Sequence, residues 1–257
     1  MLIGHQRLWN FLTRSAAQQR LAHAYLFIGP ARVGKLALAQ EFSQWLFCSV
    51  AKKPCGLCRN CKDLAKNQHP DFLFLTPPCL EKDGIKKTGE IGIDAIRELQ
   101  KRFSFFPYNS SHKIAIIDQA DRLTTEAASA FLKTLEEPSP QSLIFLVSSQ
   151  SAAMLTTLVS RCQTIKFLPV PEAEMTEGLA GQVKKLPELA EIIKLAAGRP
   201  GFVLDLINRP DEIIAYKADQ QRLLGLMRAS WPERFVWAQE ASQDVSATQN
   251  LLVNWLL

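Results

Sequence analysis

No apolar run in this sequence approaches the roughly 18 residues that a membrane-crossing helix needs, and Arg7, Arg14 and Arg20 interrupt any signal-peptide core near the amino end. The chain therefore reads as cytoplasmic, with no membrane among its partners. Glycine and proline are sparse, at 12 and 14 of 257 residues, and neither a fixed repeat nor a low-complexity tract is present, which excludes collagen-like, solenoid and linker architectures. Charge of one sign is also in short supply. Thirty basic against 25 acidic residues leave +5, which permits contact with nucleic acid without requiring it. What remains is an ordinary globular composition, 47% apolar and 21% charged, in a length that suits one large domain or two small ones.

Short β-prone runs bounded by polar residues, Gly or Pro fall at Tyr25–Ile28, Phe72–Leu75, Ile114–Ile117, Leu143–Val147 and Thr164–Phe167. Between them the spacing is helical: Leu38, Phe42, Trp45 and Leu46, then Ile93, Ile96 and Leu99, then Ala127, Phe131, Leu132 and Leu135. This alternation predicts an α/β fold whose five-stranded parallel sheet is covered on both faces. Thr124 is a suitable cap for the helix that follows it, and Pro138 marks that helix's end. After Leu168-Pro169-Val170-Pro171 only helical patterns follow, and they divide again at Asn208-Arg209-Pro210. The expected organisation is an α/β domain over 1–168, a helical domain over 169–207 and a short helical region over 208–257, which ends in the apolar Leu251, Leu252, Trp255, Leu256 and Leu257.

Gly29-Pro30-Ala31-Arg32-Val33-Gly34-Lys35 fits G-x-x-x-x-G-K between the first strand and an amphipathic helix. Its amides and helix amino terminus would face phosphate oxygens, with Lys35 reaching the outer phosphates. The eighth position, where a Ser or Thr hydroxyl would ligate Mg²⁺, is Leu36. The third strand runs into Asp118-Gln119, where a nucleotide-hydrolysing site carries a Mg²⁺-binding Asp followed by a Glu that orients water. Asp118 is in place, but Gln119 cannot act as a base. An empty relic turn, nucleotide binding without efficient hydrolysis and competent hydrolysis are all compatible with this loop.

Four of the six cysteines crowd into Cys48, Cys55, Cys58 and Cys61, spaced C-x6-C-x2-C-x2-C. Four thiolates at such spacing can close a tetrahedron around Zn²⁺, and with no position left for water the site would be structural. An iron-sulfur cluster and unliganded thiols are the alternatives. Cys79 and Cys162 read as small buried side chains. Lys52, Lys53, Arg59, Lys62 and Lys66 surround the cluster. They form either a solvated basic face or the contact surface of a zinc-knuckle nucleic-acid binder. Between the fourth and fifth strands, Arg161 is delivered by a short helix-like segment, either as a solvated surface arginine or as a charge donor to a neighbour's phosphate site.

Taken together, His23-Ala24-Tyr25-Leu26-Phe27, Cys55-Gly56-Leu57-Cys58-Arg59-Asn60-Cys61, His69-Pro70-Asp71, Phe131-Leu132-Lys133-Thr134-Leu135-Glu136-Glu137-Pro138 and Ser160-Arg161-Cys162 resemble the bacterial clamp-loader family of AAA+ proteins. The altered Leu36 and Gln119 positions resemble its delta-prime members more than the ATP-hydrolysing tau/gamma members. The resemblance implies a P-loop core of five strands, a zinc module at 48–61, a helical lid and a helical collar. It implies that Arg161 serves in trans as an arginine finger toward ATP on an adjacent motor subunit. It also implies a non-catalytic place in the DNA polymerase III assembly, with tau/gamma and delta-type subunits as partners and the sliding clamp and primer-template DNA reached through the complex. A self-sufficient ATPase of the tau/gamma type, using Lys35, Asp118 and a water placed by Gln119, is the competing expectation.

Overall fold

A computed structural model describes residues 2–82, 85–108, 110–180, 189–243, 248, 251 and 252. The chain separates into two compact units, Met1–Pro169 and Val170–Leu257. In order, the first unit carries α1 (Gln6–Ala17), β1 (Ala24–Ile28), α2 (Lys35–Phe47), α3 (Arg59–Ala65), β2 (Phe72–Leu75), β3 (Cys79–Lys82), β4 (Ile85–Thr88), α4 (Ile93–Phe103), β5 (Lys113–Ile117), α5 (Thr125–Glu136), β6 (Ser142–Ser148), α6 (Thr156–Val159) and β7 (Gln163–Lys166). The second unit carries α7 (Glu172–Leu179), α8 (Leu189–Leu195), α9 (Pro200–Asn208), α10 (Pro210–Arg228) and α11 (Trp231–Gln243). No described helix is long and apolar enough to cross a membrane.

The five strands expected from the sequence form one parallel sheet in the order β2-β5-β6-β1-β7. Every residue of β5 and β6 is buried, as a central strand covered on both faces requires. Alternation with a period of two sorts their side chains between two cores. Leu26, Ile117 and Leu146 face α4 and α5, where Ile96, Leu99, Phe131 and Leu135 meet them. Tyr25, Phe27, Ile116 and Phe145 face α1 and α2, packing with Leu12, Leu38 and Phe42. Phe145 is the hub of this second core, its ring 5.7 Å from that of Tyr25, 5.2 Å from Phe27 and 6.1 Å from Phe42. The Thr124 side chain accepts from the Ala127 N–H at 3.2 Å and so caps α5 as the sequence indicated.

Two expectations need correcting. The strand pattern missed the antiparallel hairpin β3–β4. Its Glu81, Lys82, Lys86 and Lys87 hide the apolar signal, although Asp83-Gly84 is the strongest two-residue hairpin signal in sequence. Cys79, at the start of β3, is exposed rather than buried, since it lies in a two-stranded ribbon apart from the five-stranded sheet.

In the second unit, Met175, Ile192, Ile193, Phe202, Val203 and Leu206 are buried, and the rings of Phe202 and Tyr216 lie 5.0 Å apart. Helix α11 buries none of its residues, and Trp231, Phe235 and Val236 stand in solvent. Of the apolar residues expected at the end of the chain, Trp255, Leu256 and Leu257 lie outside the described residues. Truncating Phe145 to Ala removes a ring from the hub and should cost about 3–5 kcal/mol, read as a lower urea midpoint of the first unit.

Candidate functional site

The phosphate loop follows β1 at the carboxyl-terminal edge of the sheet. Gly29 takes φ 150°, and a Cβ there would stand 2.4 Å from the Phe167 carbonyl oxygen, so only glycine fits. Gly34, at φ 112°, is the residue from which α2 starts. Lys35 is 4% exposed. Its Nζ donates to the Gly29 carbonyl at 2.7 Å, the Pro30 carbonyl at 2.5 Å and the Ser149 hydroxyl at 3.1 Å. Burial lowers the Lys35 pKa to about 8, against the pull of Asp118 and Asp121. The lysine thus closes the loop on itself, its donors spent on backbone and hydroxyl oxygens. Leu36 packs with the apolar residues of the second core where a metal-binding hydroxyl would otherwise stand.

Burial raises the Asp118 carboxyl above the ordinary range, with the Gln119 N–H and Lys35 opposing. Gln119 itself takes the left-handed conformation at φ 50°. The carboxylate that organises this corner is Asp121, three residues beyond Asp118. Its Oδ1 accepts from the Ser148 hydroxyl at 2.7 Å and the Ser149 N–H at 3.2 Å, and Ser149 in turn holds Lys35. Only the end of β6 folded beside the loop makes that role visible.

The four clustered cysteines converge at the junction of α2 and α3. Cys48 directly follows α2, Cys58 precedes α3 and Cys61 lies in its first turn, while Gly56 supplies a positive φ of 68° between them. All four Sγ atoms lie within 4.8 Å of one another, with Cys55 and Cys61 at 4.0 Å. Thiolates about 2.3 Å from a central ion would stand about 3.8 Å apart, so the set is close to the size of a four-sulfur metal site. The Cys61 N–H, seconded by that of Ser49, holds the Cys58 thiol down to about 6, while burial pushes Cys61 up to about 12. These four residues could hold a metal ion, and among the described residues no second cluster of that kind occurs. Asn60 ties the module to the core by donating to the Phe47 carbonyl at 2.8 Å. The surrounding Lys52, Lys53, Arg59, Lys62 and Lys66 are all exposed, with Arg59 3.5 Å from Asp63 and Lys53 over the Trp45 ring.

Arg161 follows α6 and is 35% exposed. Its Nη2 lies 2.6 Å from Glu136 Oε1, and its Nη1 donates to the Thr157 carbonyl at 2.8 Å and to the Ser160 hydroxyl at 3.4 Å. It precedes β7, whose first residue, Gln163, pairs with Tyr25, whereas the phosphate loop follows Ile28 at the other end of β1. Arg161 and Lys35 therefore stand at opposite edges of one sheet, and the fold does not bring them into a common site. The neighbouring Cys162 is half-buried, and burial pushes its thiol up to about 12.

Within the second unit, Arg199 is 2% exposed. Its Nε donates to the Ala196 carbonyl at 2.8 Å and its guanidinium lies 4.9 Å from the Phe202 ring, while Nη1 and Nη2 have no hydrogen-bond partner among the described residues. A buried cation with spare donors is costly, which makes Arg199 a candidate functional residue of the second unit.

Residues 4–171 match the protein family described as DNA polymerase III, delta subunit. The delta′ subunit of Bacillus subtilis DNA polymerase III is 32% identical over 91% of this chain and 68% of its own length. That of Pseudomonas aeruginosa is 35% identical over 76% of this chain and 58% of its own, so the chain spans well under the full length of these relatives. A gamma subunit-related protein of DNA polymerase III from Thermotoga maritima aligns with 96% of this chain and 75% of its own at a TM-score of 0.54 and 18% identity, a likeness of fold alone. The family match across the first unit, together with relatives above 30% identity over most of the chain, places this protein in the delta-prime subunit family of bacterial DNA polymerase III.

Proposed function

We propose that this chain is a non-catalytic subunit of the DNA polymerase III clamp loader. In that role it assists ATP-driven loading of the sliding clamp onto primed DNA and lends Arg161 to ATP held by a neighbouring subunit. The observation that carries the reading is the position of Arg161, on the surface and at the sheet edge opposite its own phosphate loop. A guanidinium so placed has no nucleotide of its own to serve. Offered across an interface, it can neutralise charge that builds on the γ-phosphoryl oxygens during transfer. The chain's own loop supports the same division of labour. Leu36 offers no Mg²⁺ ligand, Gln119 offers no base, and Lys35 is engaged by the loop.

In this reading residues 169–207 form the lid and 208–257 contribute to a helical collar, with tau/gamma and delta-type subunits as neighbours in the cytoplasm. The sliding clamp and primer-template DNA are reached through the assembly. Cys48, Cys55, Cys58 and Cys61 would hold a structural Zn²⁺ that cross-links the 48–61 segment. Asp118 and Gln119 are relics of a nucleotide site, and Gly29 and Gly34 remain for the backbone path they permit.

Replacing Arg161 by Ala in the reconstituted loader should lower DNA-stimulated ATPase by roughly threefold to tenfold and leave assembly intact, less than a full finger effect because the other sites keep their own fingers. Unchanged turnover would remove the finger role. The isolated chain should hydrolyse ATP no faster than background; steady hydrolysis that disappears in a Lys35→Ala variant would instead favour a self-sufficient tau/gamma-type ATPase. Native mass spectrometry should find one Zn²⁺ per chain and none in a Cys58→Ser variant, whose first unit should also melt at a lower temperature. A brown, iron-containing preparation would assign the cluster to iron and sulfur.

A further inference from the structure

We propose that Glu136 is a positioning residue for Arg161: it holds the guanidinium in a retracted posture on its own subunit, and a phosphate must take its place. The inference rests on the arginine-finger reading. Arg161 does not reach outward. Its Nη1 bends back to the carbonyl of Thr157, four residues earlier on α6, and to the Ser160 hydroxyl, while its Nη2 meets Glu136, the last residue of α5. Among these three partners only Glu136 is charged. A contact of 2.6 Å between guanidinium and carboxylate is short and charge-assisted.

An anionic phosphate oxygen and the Glu136 carboxylate repel each other, so they cannot both lie against Nη2 at full strength. Engagement in trans is therefore an exchange of one anion for another rather than a simple addition. The strength of the hold follows from exposure. With side chains 35% and 49% exposed, the pair belongs to the weakly stabilising surface class, which corresponds to a retracted state favoured by up to about fivefold. Such a bias raises the ligand concentration needed to draw the finger out by the same factor and leaves the fully engaged state untouched. Glu136 has little structural duty beyond this. The end of α5 is fixed independently by Gln100, whose Nε2 donates to the Ala130 carbonyl at 2.9 Å and the Thr134 hydroxyl at 2.8 Å.

The test compares wild type, Glu136→Gln, Arg161→Ala and the double variant in the reconstituted loader, following DNA-stimulated ATP turnover against ATP concentration and confirming assembly by native mass spectrometry. At low ionic strength Glu136→Gln should lower the KM for ATP by up to about fivefold, with the gain appearing in KM rather than in kcat. The difference from wild type should shrink as added salt screens the native pair. Glu136→Asp, which keeps the charge, should lie near wild type, and Glu136→Gln should change nothing in the Arg161→Ala background. If Arg161→Ala impairs turnover but Glu136→Gln leaves KM unchanged or raises it, the retaining role of Glu136 is overturned and the finger reading stands. If Arg161→Ala has no effect, both fall.

Discussion

The hydrogen-bonded parallel ladder around β6 is the constraint on which the rest of the first unit depends. Because β6 lies between β5 and β1 and every one of its residues is buried, strand direction is fixed by packing on both faces. Direction then decides geography. All five strands run the same way, so whatever follows β1 gathers at one edge and whatever precedes β7 gathers at the other. The phosphate loop and Arg161 are separated by this rule alone, before any side chain is considered. Phe145, set in the middle of β6, joins the sheet to α2 through Phe42 and so anchors the helix whose first residue is Lys35.

Around that frame the chemistry is unevenly distributed. The loop keeps its glycines and its lysine, yet its hydrogen bonds turn inward, through Lys35 to Ser149 and on to Asp121. Arg161, by contrast, lies on the surface, where among the described residues its partners are the acidic Glu136 and neutral oxygens. The first arrangement maintains a shape, and the second leaves a charge available for exchange. The cysteine cluster belongs with the first kind. Its thiols converge between two helices that the Asn60 contact and the shared core around Leu64 and Phe47 also hold together.

Much of this was legible in the sequence, and the reasons differ by element. The five sheet strands are short apolar runs whose pattern survives because both faces are buried, and Thr124 declares the start of α5 by its own chemistry. The hairpin β3–β4 was not legible as strands, since charged residues occupy its alternation. The cysteine spacing anticipated convergence, because local turns suffice to bring those sulfurs together. Asp121, Glu136 and Arg199 escaped because their importance arises from partners distant in sequence or from burial. Asp121 meets Ser148, Glu136 meets Arg161, and Arg199 is enclosed by its own helical unit. Cys79 shows the opposite failure, a residue type usually buried that stands exposed at the start of a two-stranded ribbon.

The inward-turned ammonium of Lys35 bears on how a degenerate loop persists. Without a cation at that point, the carbonyls of Gly29 and Pro30 would converge with no shared donor, in a spot where the side chain that serves them is almost wholly shielded from water. The lysine therefore serves as masonry for the loop, whatever else it does. Architecture alone is thus a sufficient reason for a lysine at this point, so its presence is not by itself a sign of fuel use.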